Sequence, residues 1–265
     1  MIKLITVTLT TVAACTLLCG CEPFYEPLDF ETSPAMIYRA KTLTDNPKLD
    51  APPIKQKVVA WNIKYGAKRL PFWFDCWGDR VQMSRTEVEA NMADLYALIN
   101  ELDPDILMLE EIEVNSRRSA YFDMVQGILD NTKLNWGAYF QAWNSRYIAS
   151  EGLGRMDLGN AILSKRKITS AERTKQDDRT DQSALTNAFY IHRVIGRAVI
   201  DLDGTDAAAI VVHAEAYDVD GTKQKQIKQI HAFVKNEKLP WVLGGDFNEL
   251  PPTATRLSFG TSGIE

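Results

Sequence analysis

Two short apolar runs enclose one amphipathic helix in the first half of the chain. Val58-Val59-Ala60-Trp61-Asn62-Ile63 has the apolar density of a core strand. Ser84 with Glu87 three residues later is a capping box, and Val88, Met92, Leu95 and Ile99 recur on one helical face. Asp103-Pro104 stops that helix. Asp105-Ile106-Leu107-Met108-Leu109 then reads as a second buried strand. Strand, helix and strand in this order make a βαβ-type unit and point to the α/β class, while the sequence leaves parallel pairing open. The 265 residues, 45% hydrophobic and 25% charged, suit one large domain. The formal net charge of −5 argues against broad electrostatic capture of nucleic acid and leaves room for a local phosphate site.

The chemistry gathers where apolar runs end. Asn62 closes the first strand. Glu111 follows the second, in Glu110-Glu111-Ile112-Glu113, where a carboxylate leaving a buried strand is placed to bind a metal or to sit in a solvated loop. Gly159-Asn160-Ala161-Ile162-Leu163-Ser164-Lys165 is another strand, with Asn160 and Lys165 at its opposite ends. Phe189–Asp201 and Ala207–His213 read as a hairpin pair, with His213 ending the second strand. A helix over Thr222–Lys238 leads into Trp241-Val242-Leu243, read as a buried strand that breaks at Gly244-Gly245 before Asp246-Phe247-Asn248. On extended backbone Asp246 and Asn248 share one side, so both can face one pocket. A carboxylate beside an amide suits a hard divalent cation or a nucleophilic water, and equally an Asx turn closing a strand.

Other segments read more plainly. Residues 117–130 look helical, with Arg117 and Arg118 before that helix reading as a solvated face or, alternatively, a phosphate clamp. Gly152–Asp157 reads as a loop, and residues 170–187 as a long polar surface loop able to fold over a site. His192 and His231 fit satisfied structural histidines better than His213 does. Cys76, among Phe72, Trp73, Phe74 and Trp77, reads as a buried apolar residue. That aromatic stretch is also a candidate frame for a small organic phosphate.

The N-terminus is expected to be a targeting segment. Lys3, the apolar run Leu4–Leu18 and Leu18-Cys19-Gly20-Cys21 resemble a bacterial lipobox, with residues 1–20 removed and Cys21 lipidated. Residues 21–54, rich in proline, would be a tether, and residues 55–265 the domain. The expected location is the bacterial cell envelope, lipid-anchored at the outer membrane.

Five ordered segments, Trp61-Asn62-Ile63, Asp105 to Ile112, Gly159 to Lys165, Val211-Val212-His213 and Gly245-Asp246-Phe247-Asn248, resemble the endonuclease/exonuclease/phosphatase superfamily. The resemblance implies a four-layer α/β sandwich, two packed β-sheets flanked by helices. It implies hydrolysis of a phosphate ester, in nucleic acid or a small organic phosphate, with Mg²⁺ (or Mn²⁺ or Ca²⁺). It implies metal binding by Glu111 and Asn62, catalytic roles for His213, Asp246 and Asn248, and phosphate binding by Asn160 and Lys165. Three departures stand out. Glu110 occupies the place of a usual Gln, adding charge that would strengthen metal binding or face solvent. Lys165 stands where deoxyribonuclease-type members have Arg. The residues after Asn248 contain no His, whereas the family carries a catalytic one there, so a truncated product lacking C-terminal strands is expected. The alternative reading is a non-catalytic envelope lipoprotein that keeps the fold.

Overall fold

A computed structural model describes residues 28–43, 55–73, 78–148, 152–217 and 219–250. Among the described residues ten strands form two five-stranded sheets. They are β1 (Thr32–Pro34), β2 (Met36–Arg39), β3 (Val58–Asn62), β4 (Ile106–Glu113), β5 (Trp136–Ile148), β6 (Gly154–Ser164), β7 (Ile168–Lys175), β8 (Val194–Asp201), β9 (Asp206–His213) and β10 (Trp241–Asp246). One sheet runs β2-β5-β6-β4-β3, the other β1-β7-β8-β9-β10. The helices are α1 (Arg85–Leu102), α2 (Met124–Asn131), α3 (Ala184–Ala188) and α4 (Thr222–Asn236). Among the described residues no helix is long and apolar enough to cross a membrane.

The capping box forms as expected: the Ser84 side chain accepts from the Glu87 N–H, and the Glu87 carboxylate accepts from the Ser84 N–H. At the other end Asp103 adopts a left-handed conformation and its N–H closes on the Ile99 carbonyl. The apolar face of α1 (Val88, Met92, Leu95, Ile99) packs with α2 on Leu107, Leu109, Ala161 and Leu163 of the first sheet. The alternate residues of those strands, Ile106, Met108 and Ile162, point the other way and meet Val194, Ala198, Ala209 and Val211 of the second sheet. On the far side of that sheet Ile195, Ile210 and Val212 pack on Ile230 of α4. The layers are therefore helices, sheet, sheet, helix, an α/β sandwich. Period-2 alternation on strands buried from both sides builds three apolar interfaces from two sheets.

Two pairings settle the topology. β3 lies parallel to β4, so the Val58–Leu109 region is a true βαβ unit, and β10 lies parallel to β9 across α4. Each parallel pair ends its strands on the same side. The other ladders are antiparallel, as in β4–β6 and β8–β9.

Several expectations are corrected. Residues 28–43 are not tether: β1 pairs with β7 in one sheet and β2 with β5 in the other, and Leu28, Phe30 and Ala35 pack into the inter-sheet core. Strands this short, with mixed polarity, carry no readable period. Gly154–Asp157 is strand rather than loop, and Ile168–Lys175 is a ladder strand whose outward residues make it read as polar loop. Trp241 is 48% exposed and the rest of β10 half-buried, so the strand is not deeply buried. Residues 117–130 divide into a 3₁₀ turn and α2, and Arg118 is buried, paired with Glu113 (Nη2–Oε1 2.6 Å), while Arg117 is exposed. Residues 1–27, Cys21, Cys76, Trp77 and 251–265 lie outside the described residues.

The sheets approach closely at Gly196 of β8, where any Cβ would strike the ring of Phe140 from the opposite sheet. Gly196→Ala is expected to destabilise the fold by about 1–3 kcal/mol, the usual cost of overpacking a filled core. Urea unfolding reads this, and Phe140→Leu should restore part of the loss in the double variant.

Candidate active site

The two parallel pairs bring four strand ends to one place. In the first sheet Asn62 closes β3 and Glu111 lies near the end of β4. In the second, His213 closes β9 opposite Asp246 at the end of β10, and Asn248 follows.

A β-bulge delivers Glu111. Leu109 pairs with Ala161 and Ile112 with Gly159, so Glu110 and Glu111 together oppose Asn160 alone. Glu111 sits at φ 54°, a left-handed conformation that a glutamate rarely adopts. Simple alternation would have aimed Glu111 at the α1 layer beside Leu109. The bulge instead turns its carboxylate toward the second sheet. Asn248 is also left-handed (φ 50°), which asparagine tolerates well. Strained backbone at two of these residues is the pattern found where surrounding structure fixes a functional geometry.

Asn62 is the hub. Its Nδ2 donates to Glu111 Oε1 and to Asp246 Oδ2, both at 3.0 Å. Its Oδ1 accepts the Lys64 N–H at 3.0 Å, which fixes the amide's orientation. Asp246 Oδ1 accepts the Asn248 N–H (2.8 Å), and Asn248 Nδ2 donates to the Ala214 carbonyl (3.0 Å). Lys223 of α4 donates to the Asn248 carbonyl (2.9 Å), pinning the loop. Gly245 makes this turn possible: at φ 137°, a side chain there would meet the Val212 backbone. The glycine therefore admits a neighbouring strand.

His213 Nε2 lies 3.9 Å from both Glu111 Oε1 and Asp246 Oδ2, beyond hydrogen-bonding range. Burial, with the nearby Arg193 cation, holds its pKa well below the usual histidine value, so the imidazole is neutral at neutral pH. Arg193 itself was not anticipated. It is buried at the start of the β8 segment, lines the same cleft, and faces Glu215 (Nε–Oε2 3.7 Å). Its Nε and Nη1 have no hydrogen-bond partner. An arginine just before an apolar strand was the available sequence signal, indistinguishable there from a strand-end surface charge.

Glu110 proves unlike its expectation. It neither faces solvent nor adds charge at neutral pH: it is buried between the sheets, and burial, then Asp246 and Glu111, push its pKa to about 8. A protonated Glu110 is neutral and nearly the shape of a glutamine. Lys165 is corrected too. The strand β6 is antiparallel to β4, so Lys165 lies at the far end, roughly 17 Å along the strand from Asn160. There its Nζ pairs with Asp103 and Asp105, both at 3.1 Å, away from the strand ends that come together here. Asn160 does lie across from the bulge, but it is buried and outside the cleft wall. His192 pairs through Nδ1 with Asp178 Oδ1 (2.8 Å) while its buried Nε2 has no hydrogen-bond partner, and His231 is exposed on α4.

Two carboxylates converging on one donor offer a small, negatively charged, oxygen-rich spot. Among the described residues no group of three or more His, Cys, Asp or Glu forms a metal cage. A cation that keeps most of its waters needs only one or two carboxylates, so the donor set fits a Mg²⁺-like ion better than a dehydrated one.

The Glu110 assignment has a measurable consequence. Its raised pKa means that folding takes up a proton, so its contribution is full below about 4.5 and lost as pH rises through about 8. In metal-free buffer, stability should fall across that window. Glu110→Gln should lose this dependence and be the more stable protein at pH 8 by roughly 2–4 kcal/mol. Urea midpoints at pH 5, 6.5 and 8 measure it.

The chain is similar to several solved structures. An endonuclease/exonuclease/phosphatase from Beutenbergia cavernae is 16% identical, with 73% of this chain and 47% of that one covered at a TM-score of 0.49. The family protein from Leptotrichia buccalis is 17% identical, with coverage of 73% and 67% and a TM-score of 0.46. ANGEL2, a 2′,3′-cyclic phosphatase solved with adenosine-2′,3′-vanadate, is 18% identical, with coverage of 74% and 54% and a TM-score of 0.48. The chain thus spans about half the length of the Beutenbergia protein. No curated protein sequence matches it. The model of the Endonuclease/Exonuclease/phosphatase family matches residues 59–263, a span containing every strand end of the site, and the chain belongs to that family.

Proposed function

We propose that the protein is a metal-dependent phosphoric ester hydrolase, acting on a phosphodiester or phosphomonoester. The observation that carries this reading is the convergence of Glu111 and Asp246, from different sheets, on the single Asn62 amide nitrogen. Glu111 and Asp246 would hold the ion, with Asn62 fixing their separation. When bound, the ion would supply positive charge against the phosphate oxygens.

The chain's own groups fit the remaining tasks of phosphoryl transfer, which are positioning and charge neutralisation. Asp246 would orient the attacking water and accept its proton. Asn248 has one amide hydrogen on Ala214 O and a second to offer a phosphoryl oxygen. A neutral His213 would donate one hydrogen bond to a phosphate oxygen, and Arg193, with two nitrogens that have no hydrogen-bond partner, would add the cationic grip expected of Lys165. His213 and Arg193 are buried, which strengthens the interactions they would make.

Anchoring through a lipidated Cys21, and placement in the bacterial cell envelope, are part of the same proposal; the lipobox-like sequence supports them. Mass spectrometry of the membrane fraction should find a diacylglyceryl modification on Cys21, and Cys21→Ser should release the protein to the soluble fraction.

Hydrolysis of bis-p-nitrophenyl phosphate with Mg²⁺ or Mn²⁺ tests the activity. Asp246→Asn and His213→Ala should each lower kcat by about 10²–10⁴-fold. Glu111→Gln should weaken calorimetric Mg²⁺ binding at least about tenfold. An inactive protein whose metal binding is unaffected by Glu111→Gln would overturn the proposal in favour of a fold-retaining, non-catalytic envelope protein.

A further inference from the structure

One end of a large cleft is formed by Glu111, His213 and Asn248, and its volume is about 1110 Å³. That exceeds the roughly 300–1,000 Å³ of pockets that enclose drug-sized ligands. The rest of the wall is mainly apolar, with Trp143, Ile148, Leu153 and Phe189 along it and Leu185 and Tyr217 at the mouth. Leu185 is 72% exposed and Tyr217 65%. Large apolar side chains kept exposed around one concavity mark a place where an apolar ligand is taken up.

The charges of the wall point away from a polyanion. Among the described lining residues none is lysine, and its two arginines, Arg118 and Arg193, each face a glutamate, Glu113 and Glu215. Nucleic-acid binding draws on many phosphate-neutralising cations, and this chain carries a formal charge of −5. A single phosphate at the polar end is the charge the cleft can serve.

We infer that the substrates are amphiphilic phosphate esters, whose alkyl or acyl portion occupies the cleft between Trp143, Leu153 and Phe189 while the phosphate sits at Glu111, His213 and Asn248. The inference rests on the phosphoesterase reading and deepens it. The apolar portion sets affinity by area removed from water, and the polar end sets position. Leu185 and Tyr217 are specificity-determining residues at the entrance.

The test uses methyl, butyl and octyl phosphate, each below its micellar concentration, titrated into the purified protein by calorimetry. Octyl phosphate should bind about 100-fold more tightly than methyl phosphate, well within what seven buried methylenes can supply. Leu185→Ser and Tyr217→Ser change exposed residues and leave the core intact. Combined with Phe189→Ala, or as a surface-only pair should that variant misfold, they should reduce the octyl-to-methyl ratio at least about threefold with methyl phosphate affinity unchanged. A ratio near one, a ratio unmoved in the surface pair, or tighter binding of a short oligothymidylate than of octyl phosphate would overturn the inference. Chain-length preference with no hydrolysis of any ester would leave the cleft assignment standing and sink the hydrolase reading instead. Hydrolysis without chain-length preference would do the reverse.

Discussion

Asn62 donates one amide nitrogen to carboxylates that belong to two different sheets. Glu111 comes from the β4 bulge and Asp246 from the end of β10, more than a hundred residues apart in sequence and joined only across the sandwich interface. Two carboxylates held this close repel, and each needs a donor to remain there. The amide supplies it, and the Lys64 N–H on its oxygen keeps the donor side turned inward. The site is thus a property of how the sheets pack. Close approach at Gly196 and the turn at Gly245 set that packing, and the bulge adjusts it locally.

Charge in and around this cluster is moderated by burial. Glu110, between the sheets, stays protonated to about pH 8, so the cluster does not carry a third carboxylate charge at neutral pH. His213 stays neutral beside Arg193. Arg193 is buried, faces Glu215, and has two nitrogens without a hydrogen-bond partner. The result is a small anionic spot facing a buried cation and a neutral donor, an arrangement suited to one phosphate together with one counter-ion. The apolar cleft continues from this spot, which ties the polarity of the site to the kind of ester it can hold.

Much of the fold can be read from the chain. The α1 helix is legible because Ser84, Glu87 and four apolar residues at helical spacing agree with one another. β4 and β9 are legible because strands buried on both faces are continuous apolar runs. The tether reading of residues 28–43 fails because β1 and β2 are only three and four residues long and take their stability from partners far along the chain. β7 reads as loop in the sequence because it is mostly polar and none of its residues after Ile168 is fully buried. The strand-end polar residues Asn62, Glu111, His213, Asp246 and Asn248 come together at one place. Lys165 does not join them, since the antiparallel direction of β6 carries it to the other end of the sheet. Arg193 joins without having been anticipated.

The sequence by itself determined the α1 helix and the long apolar strands such as β4 and β9, and that polar groups stand at their ends, because periodicity and capping are local properties written in neighbouring residues. It also determined the family, since five short segments in a fixed order carry that signal. Only the tertiary structure decided strand direction, the bulge that turns Glu111 out of alternation, the protonation of Glu110 and the partners of Arg118, Lys165 and Arg193. Those depend on burial and on contacts between residues distant in the chain, and no local pattern encodes either.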